Sequence, residues 1–202
     1  MATKLSKGLS IGLIIGGLLL IFIGWMVSNY NKLVKEEENV EQAWSQVENV
    51  YQRRLDLIPN LVKTVQGAAE YEKGTLESVI EARANATSVK IDPTNLTEEN
   101  LAAFEQAQNQ VSSALSRLMV VVERYPELTA TQNFSDLQTQ LEGTENRIAV
   151  ERKKFSEAVQ QYNVKVRRFP TNIIAGMFGF EKKAYFKAAE GAEQAPEVDF
   201  EF

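Results

Sequence analysis

The sequence predicts an all-α protein: one N-terminal transmembrane helix, then an up-and-down antiparallel bundle of three long helices, then a short C-terminal helix. Three observations carry this. Residues 11–28, IGLIIGGLLLIFIGWMVS, hold no charge and are almost wholly apolar. Beyond them, apolar residues recur at alternating spacings of three and four, the period of helices packed along one seam. Between the stretches stand prolines and asparagines, which stop helices and turn the chain.

With Leu9 and Ser10 the apolar run reaches about twenty residues, enough for a helix to cross a hydrocarbon core of roughly 30 Å. Lys4 and Lys7 give it the basic start of a signal peptide. The run exceeds the ~7–15 residues of a signal h-region and no A-x-A-like site follows, so an uncleaved anchor is expected. Trp25 and Tyr30 stand where interfacial aromatic residues belong. Lys4, Lys7 and the α-amino group precede the span, while Lys32 and Lys35 follow it. That small excess points to a cytoplasmic N-terminus and a bundle outside the cytoplasm. Gly8, Gly12 and Gly16 form two GxxxG patterns in series, which let helix backbones approach and predict self-association in the membrane. The parts are a basic stub (1–8), the span (9–28), the bundle (29–187) and an acidic, alanine-rich tail (188–202) expected to be disordered.

The first bundle helix has its seam at Val40, Trp44, Val47, Tyr51, Leu55, Ile58, Val62, Val65, Ala69, Leu76 and Val79, and is expected to end near Ala86. No Pro or Gly lies between Ser28 and Val40, so the anchor is expected to run into this helix without a joint. Pro59 is the one breaker, and it removes a backbone donor. The apolar phase passes through it unbroken and LIPNL (57–61) offers few turn formers, so one helix kinked at Pro59 is expected. Asp92-Pro93 and Asn95 mark the link that follows. Thr97 opens the next helix, with Glu98 and Glu99 in its first turn as the helix dipole favours. Its seam runs from Leu101 and Phe104 to Val122 and Tyr125, and Pro126 stops it. The third helix starts near Thr131, places Phe134, Leu141, Ile148, Phe155, Tyr162 and Phe169 inward, and ends at Pro170. Residues 171–186 predict a loop and short helix folding back on the bundle.

At 202 residues, with the anchor removed, the remainder suits one domain. The chain has no Cys, so disulfides, thiolate metal sites and cysteine nucleophiles are excluded. It has no His either, which removes the commonest metal ligand and general base. No catalytic, cofactor or metal residue is assigned, and no glycine-rich phosphate loop is present. Net charge is −5, unevenly placed: residues 36–146 hold 19 acids and 8 bases, residues 147–187 hold 10 bases and 3 acids. The expected cause is a basic last helix packed beside acidic ones. Overall acidity and the lack of an aromatic–basic module argue against nucleic acid as a partner.

The residues also resemble the LemA family of bacteria. Ala43-Trp44, the run YQRRLDLIPNLV (51–62) and Glu81-Ala82-Arg83-Ala84 carry the likeness. So do Tyr125-Pro126-Glu127-Leu128, Asn133-Phe134, Leu137-Gln138, LEGTENRI (141–148), Tyr162-Asn163, Phe169-Pro170 and Gly179-Phe180. One departure is Lys154-Phe155-Ser156, where the family more often has Tyr-Asn; Phe155 keeps the seam apolar. The resemblance implies one membrane helix followed by a helical bundle, in bacteria, and no particular activity.

Four groups of residues remain as candidate sites. Arg53, Arg54 and Asp56, with Glu142, Glu145 and Arg147, predict a carboxylate–guanidinium network between helices, structural rather than catalytic. Gly67 and Gly74 lie a heptad apart on the first helix, away from its seam, and predict a close neighbour, within the bundle or in a second copy. Ile173, Ile174, Met177, Phe178 and Phe180 beside the basic helix predict either a cap on the bundle's open end or a contact with anionic lipid. Phe200-Glu201-Phe202 has the form of a PDZ ligand. The function expected is that of a scaffold or adaptor in the bacterial inner membrane, working by protein contacts as a homo-oligomer or with another membrane or envelope protein, and not an enzyme. The alternative is an envelope- or lipid-binding protein that shapes the membrane.

Overall fold

The computed structural model describes residues 7–67 and 73–186. Those residues form six helices and no strand: α1 (Lys7–Gln66), α2 (Lys73–Ser88), α3 (Glu98–Val122), α4 (Pro126–Thr129), α5 (Gln132–Arg167) and α6 (Thr171–Phe178). Most of the N-terminal stub, Ala69, the acidic tail and Phe200-Glu201-Phe202 lie outside the described residues.

α1 continues from the span into the bundle with no joint at residues 29–31, as its composition predicts. It also runs through Pro59 to Gln66. Proline has no N–H for the carbonyl of Leu55, four residues back. Arg83 of α2 fills that gap, its Nε donating to the Leu55 oxygen at 2.8 Å.

The single helix expected up to Ala86 is two helices. α1 ends at Gln66 with Gly67 in a turn, and α2 begins at Lys73 and returns along α1. The apolar spacing misleads because α2 has its own inward face at Leu76, Val79, Ala82 and Ala86, in phase with Val62 and Val65 by coincidence. The bundle therefore has four helices rather than three.

Its topology follows from the pairings. α5 descends beside α1: Arg54 meets Glu145 at 3.0 Å, and Lys165 near the end of α5 pairs with Glu36. Between them α3 climbs from a base, where Phe104 meets Trp44 at 5.2 Å and Tyr51 at 5.0 Å, to Gln108 against Arg54. Thr97 caps α3, its hydroxyl accepting from the Asn100 N–H, and Thr131 caps α5 by accepting from that of Phe134. The turn expected after Pro126 is the one-turn helix α4, with Pro126 at its first position and Leu128 buried. Phe155 is fully buried, so the departure at 154–156 leaves the seam intact. Phe169 is not inward but 76% exposed. The backbone turns extended at Arg168, and helical phase is lost before Phe169.

The core has two apolar parts. The distal one includes Leu55, Leu61, Val65, Val111, Leu118 and Leu141. The proximal one includes Leu33, Trp44, Tyr51, Phe104, Phe155 and Tyr162. Between them lie the buried polar residues Arg54, Gln108 and Thr144.

Candidate functional site

Arg54 is the centre of that polar layer. Its Nη1 donates to Ser112 Oγ at 2.9 Å and Glu145 Oε2 at 3.0 Å. Its Nη2 donates to the Gln108 carbonyl at 3.1 Å and to Gln108 Oε1 at 2.7 Å. The guanidinium lies 5.1 Å from the Tyr51 ring centre. Only its buried Nε lacks a partner. A cleft of about 360 Å³ opens beside this station, lined by Met119, Leu141 and Glu142 among others.

Of the six residues expected in one network, the structure joins Arg54 and Glu145 alone. Arg53, Asp56, Glu142 and Arg147 are exposed, and Asp56 and Glu142 accept from Gln52 and Gln138 of their own helices. The other partners, Gln108 and Ser112, come from α3, whose polar residues gave no sign of facing inward except that Gln108 falls three residues before Val111 on its seam.

A second polar station lies at the base. After α6, Gly179 takes a left-handed conformation at φ 76°, which glycine adopts freely. The chain then runs as a strap across α1, α5 and the link that precedes α3. Lys183 of the strap is buried, and its Nζ donates to Glu37 Oε1 at 2.9 Å and to the Thr94 carbonyl at 3.1 Å. Its backbone N–H and C=O bond the Asn163 side chain at 3.0 and 2.8 Å. Phe186 stacks on Trp44 with ring centres 6.0 Å apart, and Arg152 lies 4.3 Å over Phe186 while pairing with Glu105 at 2.6 Å. The buried Tyr162 hydroxyl has no hydrogen bond of normal geometry; burial and the facing Glu37 carboxylate push it up. Sequence reasoning missed Lys183, because a lysine next to Lys182 reads as a solvated pair.

Two charges of the basic helix, Arg152 and Lys165, meet acids of α3 and α1, while Lys153 and Lys154 pair with Glu157 and Glu151 of α5 itself. The Lys165 hydrogen bond holds Glu36 below the ordinary carboxylate range, against burial. Glu48 moves the other way, raised by burial.

The glycines fall differently from expectation. Gly67 and Gly74 do not share one helix; they flank the reversal between α1 and α2. A Cβ on Gly74 would meet nothing within 4 Å, and one on Gly67 only ordinary contacts, so no close packing within the bundle explains them. Gly8, Gly12 and Gly16 likewise meet nothing within 4 Å and lie on an open stretch of α1.

α6 divides the two roles expected of residues 173–180. Ile174 and Ala175 are buried in the proximal core, while Ile173, Met177 and Phe178 are exposed. Among the described residues, no group of three or more Asp or Glu could hold a metal ion.

Residues 43–200 match the model of the LemA family. Over 183 residues the chain is 28% identical to magnetosome protein MamQ 1 of Paramagnetospirillum magneticum, covering 82% of this chain and 67% of that one. MamQ of Magnetospirillum gryphiswaldense is 28% identical over 83% of this chain and 68% of its own. Protein LemA of Metamycoplasma hominis is 22% identical over 84% of this chain and 74% of its own. The chain therefore belongs to the LemA family and is a membrane-associated helical protein, with one described helix long and apolar enough to cross a bilayer.

Proposed function

We propose that this chain is a single-pass scaffold or adaptor of the bacterial cell membrane that works by protein contacts and carries out no catalysis. The continuity of α1 supports this most strongly. A joint-free helix from Ser28 to Gln66 holds the bundle's far end about 57 Å from the span at 1.5 Å per residue. Such a strut fixes the height and rotation of whatever surface the bundle presents. The ion pairs support a structural interior: the buried Arg54 and Lys183 and the half-buried Arg152 and Lys165 each meet a carboxylate. The small excess of positive charge before the span supports a bundle outside the cytoplasm.

The first partner is a second copy, through Gly8, Gly12 and Gly16, with an unidentified membrane or envelope protein as a further one. The open groove of about 730 Å³ between α2 and α3, lined by Asn85, Gln106, Asn109 and Gln110, offers such a partner a concave surface. A photocrosslinking residue at Asn109, activated in the native membrane, is expected to give a discrete protein adduct identified by mass spectrometry. Crosslinks to lipid alone, from there and from the α1 glycine face, would sink the scaffold reading.

A further inference from the structure

α6 lies at the level where the span ends. Thr171 at its start donates to Asn29 Oδ1 at 3.4 Å. Tyr30 packs against Phe178 with ring centres 4.9 Å apart and against Phe180 at 5.6 Å. Trp25 and Met26, in the last turns of the apolar run, pack on the same core that holds Ile174 and Ala175. The inward face of α6 is therefore seated on α1 where α1 leaves the hydrocarbon.

Its other face has no cover. Phe169, Ile173 and Met177 are each more than half exposed, and Phe178, at the edge against Tyr30, leaves half its surface open beside them. Single exposed apolar residues are ordinary; four adjoining ones mark a contact surface. Arg167 and Arg168 stand beside them, exposed, and make no ion pair among the described residues, whereas Lys165 and Lys183 on either side do. Apolar bulk with free cations at its edge is the composition of an interfacial segment.

We propose that α6 is a second membrane contact: its outer face lies in the headgroup boundary of the bilayer that α1 crosses, with Arg167 and Arg168 on lipid phosphates. The proposal rests on the reading that α1 spans. The bilayer is the occupant because the patch sits at the depth of Trp25 and Asn29, where any partner must itself lie in the interface. Two attachments, one spanning and one lying flat, fix the bundle's tilt as well as its height.

The test uses the full chain in phosphatidylcholine–phosphatidylglycerol vesicles. The natural chain has no cysteine, so single labels report cleanly. Leu19→Cys, Met177→Cys and Val120→Cys, each carrying a polarity-sensitive fluorophore, are quenched with spin-labelled lipid. All three positions are exposed in the structure. The labels at 19 and 177 are expected to be quenched, and the label at 120, high on α3, to stay within a tenth of its unquenched emission. Quenching at 19 but not at 177 overturns the proposal while leaving the anchor intact. No quenching at 19 overturns the anchor reading and this proposal with it. A label at 177 that responds to a second labelled copy and not to lipid makes the patch a protein interface and overturns the lipid assignment.

Discussion

The guanidinium of Arg54 is buried, yet four hydrogen bonds to α3 and α5 meet its two terminal nitrogens. Planar fork geometry makes this possible, and a lysine cannot copy it. Glu145, by contrast, has a side chain 60% exposed and regains water when unpaired. Arg54→Lys should therefore lower stability by about 2 kcal/mol, through the acceptors it strands. Glu145→Ala should cost under about 1 kcal/mol. Chemical denaturation of the detergent-solubilised chain, followed by tryptophan emission, separates the two. The Arg83–Leu55 contact makes a sharper residue-level claim. Arg83→Met strands a carbonyl that proline cannot serve, and should cost about 1–2 kcal/mol. In a Pro59→Ala background residue 59 supplies its own N–H, so the same substitution should cost clearly less. Equal costs in both backgrounds would show that Arg83 does not compensate for the proline. Little of this was legible in the chain. The caps at Thr97 and Thr131 and the stops at Pro126 and Pro170 are local chemistry and could be read directly. The partners of Arg54 depend on which faces of distant helices turn inward, which no short window of sequence states.

At the scale of elements, the reversal after Gln66 is the instructive difference. Periodicity records which residues are buried, not against what. The inward residues of α2 kept step with those of α1, and two glycines seven apart looked like helix surface rather than a turn. The strap after α6 was foreseen as a fold-back, but its latch was not, because Lys183 becomes buried only where Glu37, Thr94 and Asn163 meet it. Lys183→Met should loosen the strap and little else. Hydrogen exchange at the amides of Lys183 and Ala184, which bond Asn163 and the Leu96 carbonyl, should quicken at least about tenfold, equivalent to about 1.4 kcal/mol. Amides of α1 around Trp44 should keep their protection. Exchange that rises equally in α1 would mean the strap is part of the core rather than a latch upon it.

Over the whole molecule, charge is arranged so that basic α5 and the strap face acidic α1 and α3. Stability should then depend on pH in a way that assigns signs to single groups. Glu36 has a lowered folded value, so its contribution is present above the unfolded carboxylate value of about 4.3 and is lost as pH falls through the lower folded one. Glu36→Gln should be less stable than the natural chain by about 0.5 kcal/mol at pH 7. The two should converge once pH falls below the folded value of Glu36, where both side chains are neutral. Glu48 has the opposite sign, because burial raises its value and its charge costs stability at neutral pH. Glu48→Gln should gain at pH 7 and match the natural chain at pH 3. Thermal melts across that range check both variants.

The central claim is that anchor and bundle are one rigid body, joined by α1. Spin labels at Leu20 and Asn60, both exposed and both on α1, bracket the membrane exit. Forty helical residues separate them by about 60 Å. Pulsed electron paramagnetic resonance of the full chain in nanodiscs, diluted with unlabelled protein, should give one narrow distance distribution near that value. A broad distribution, or one centred well below it, would place a flexible joint between span and bundle and contradict the account.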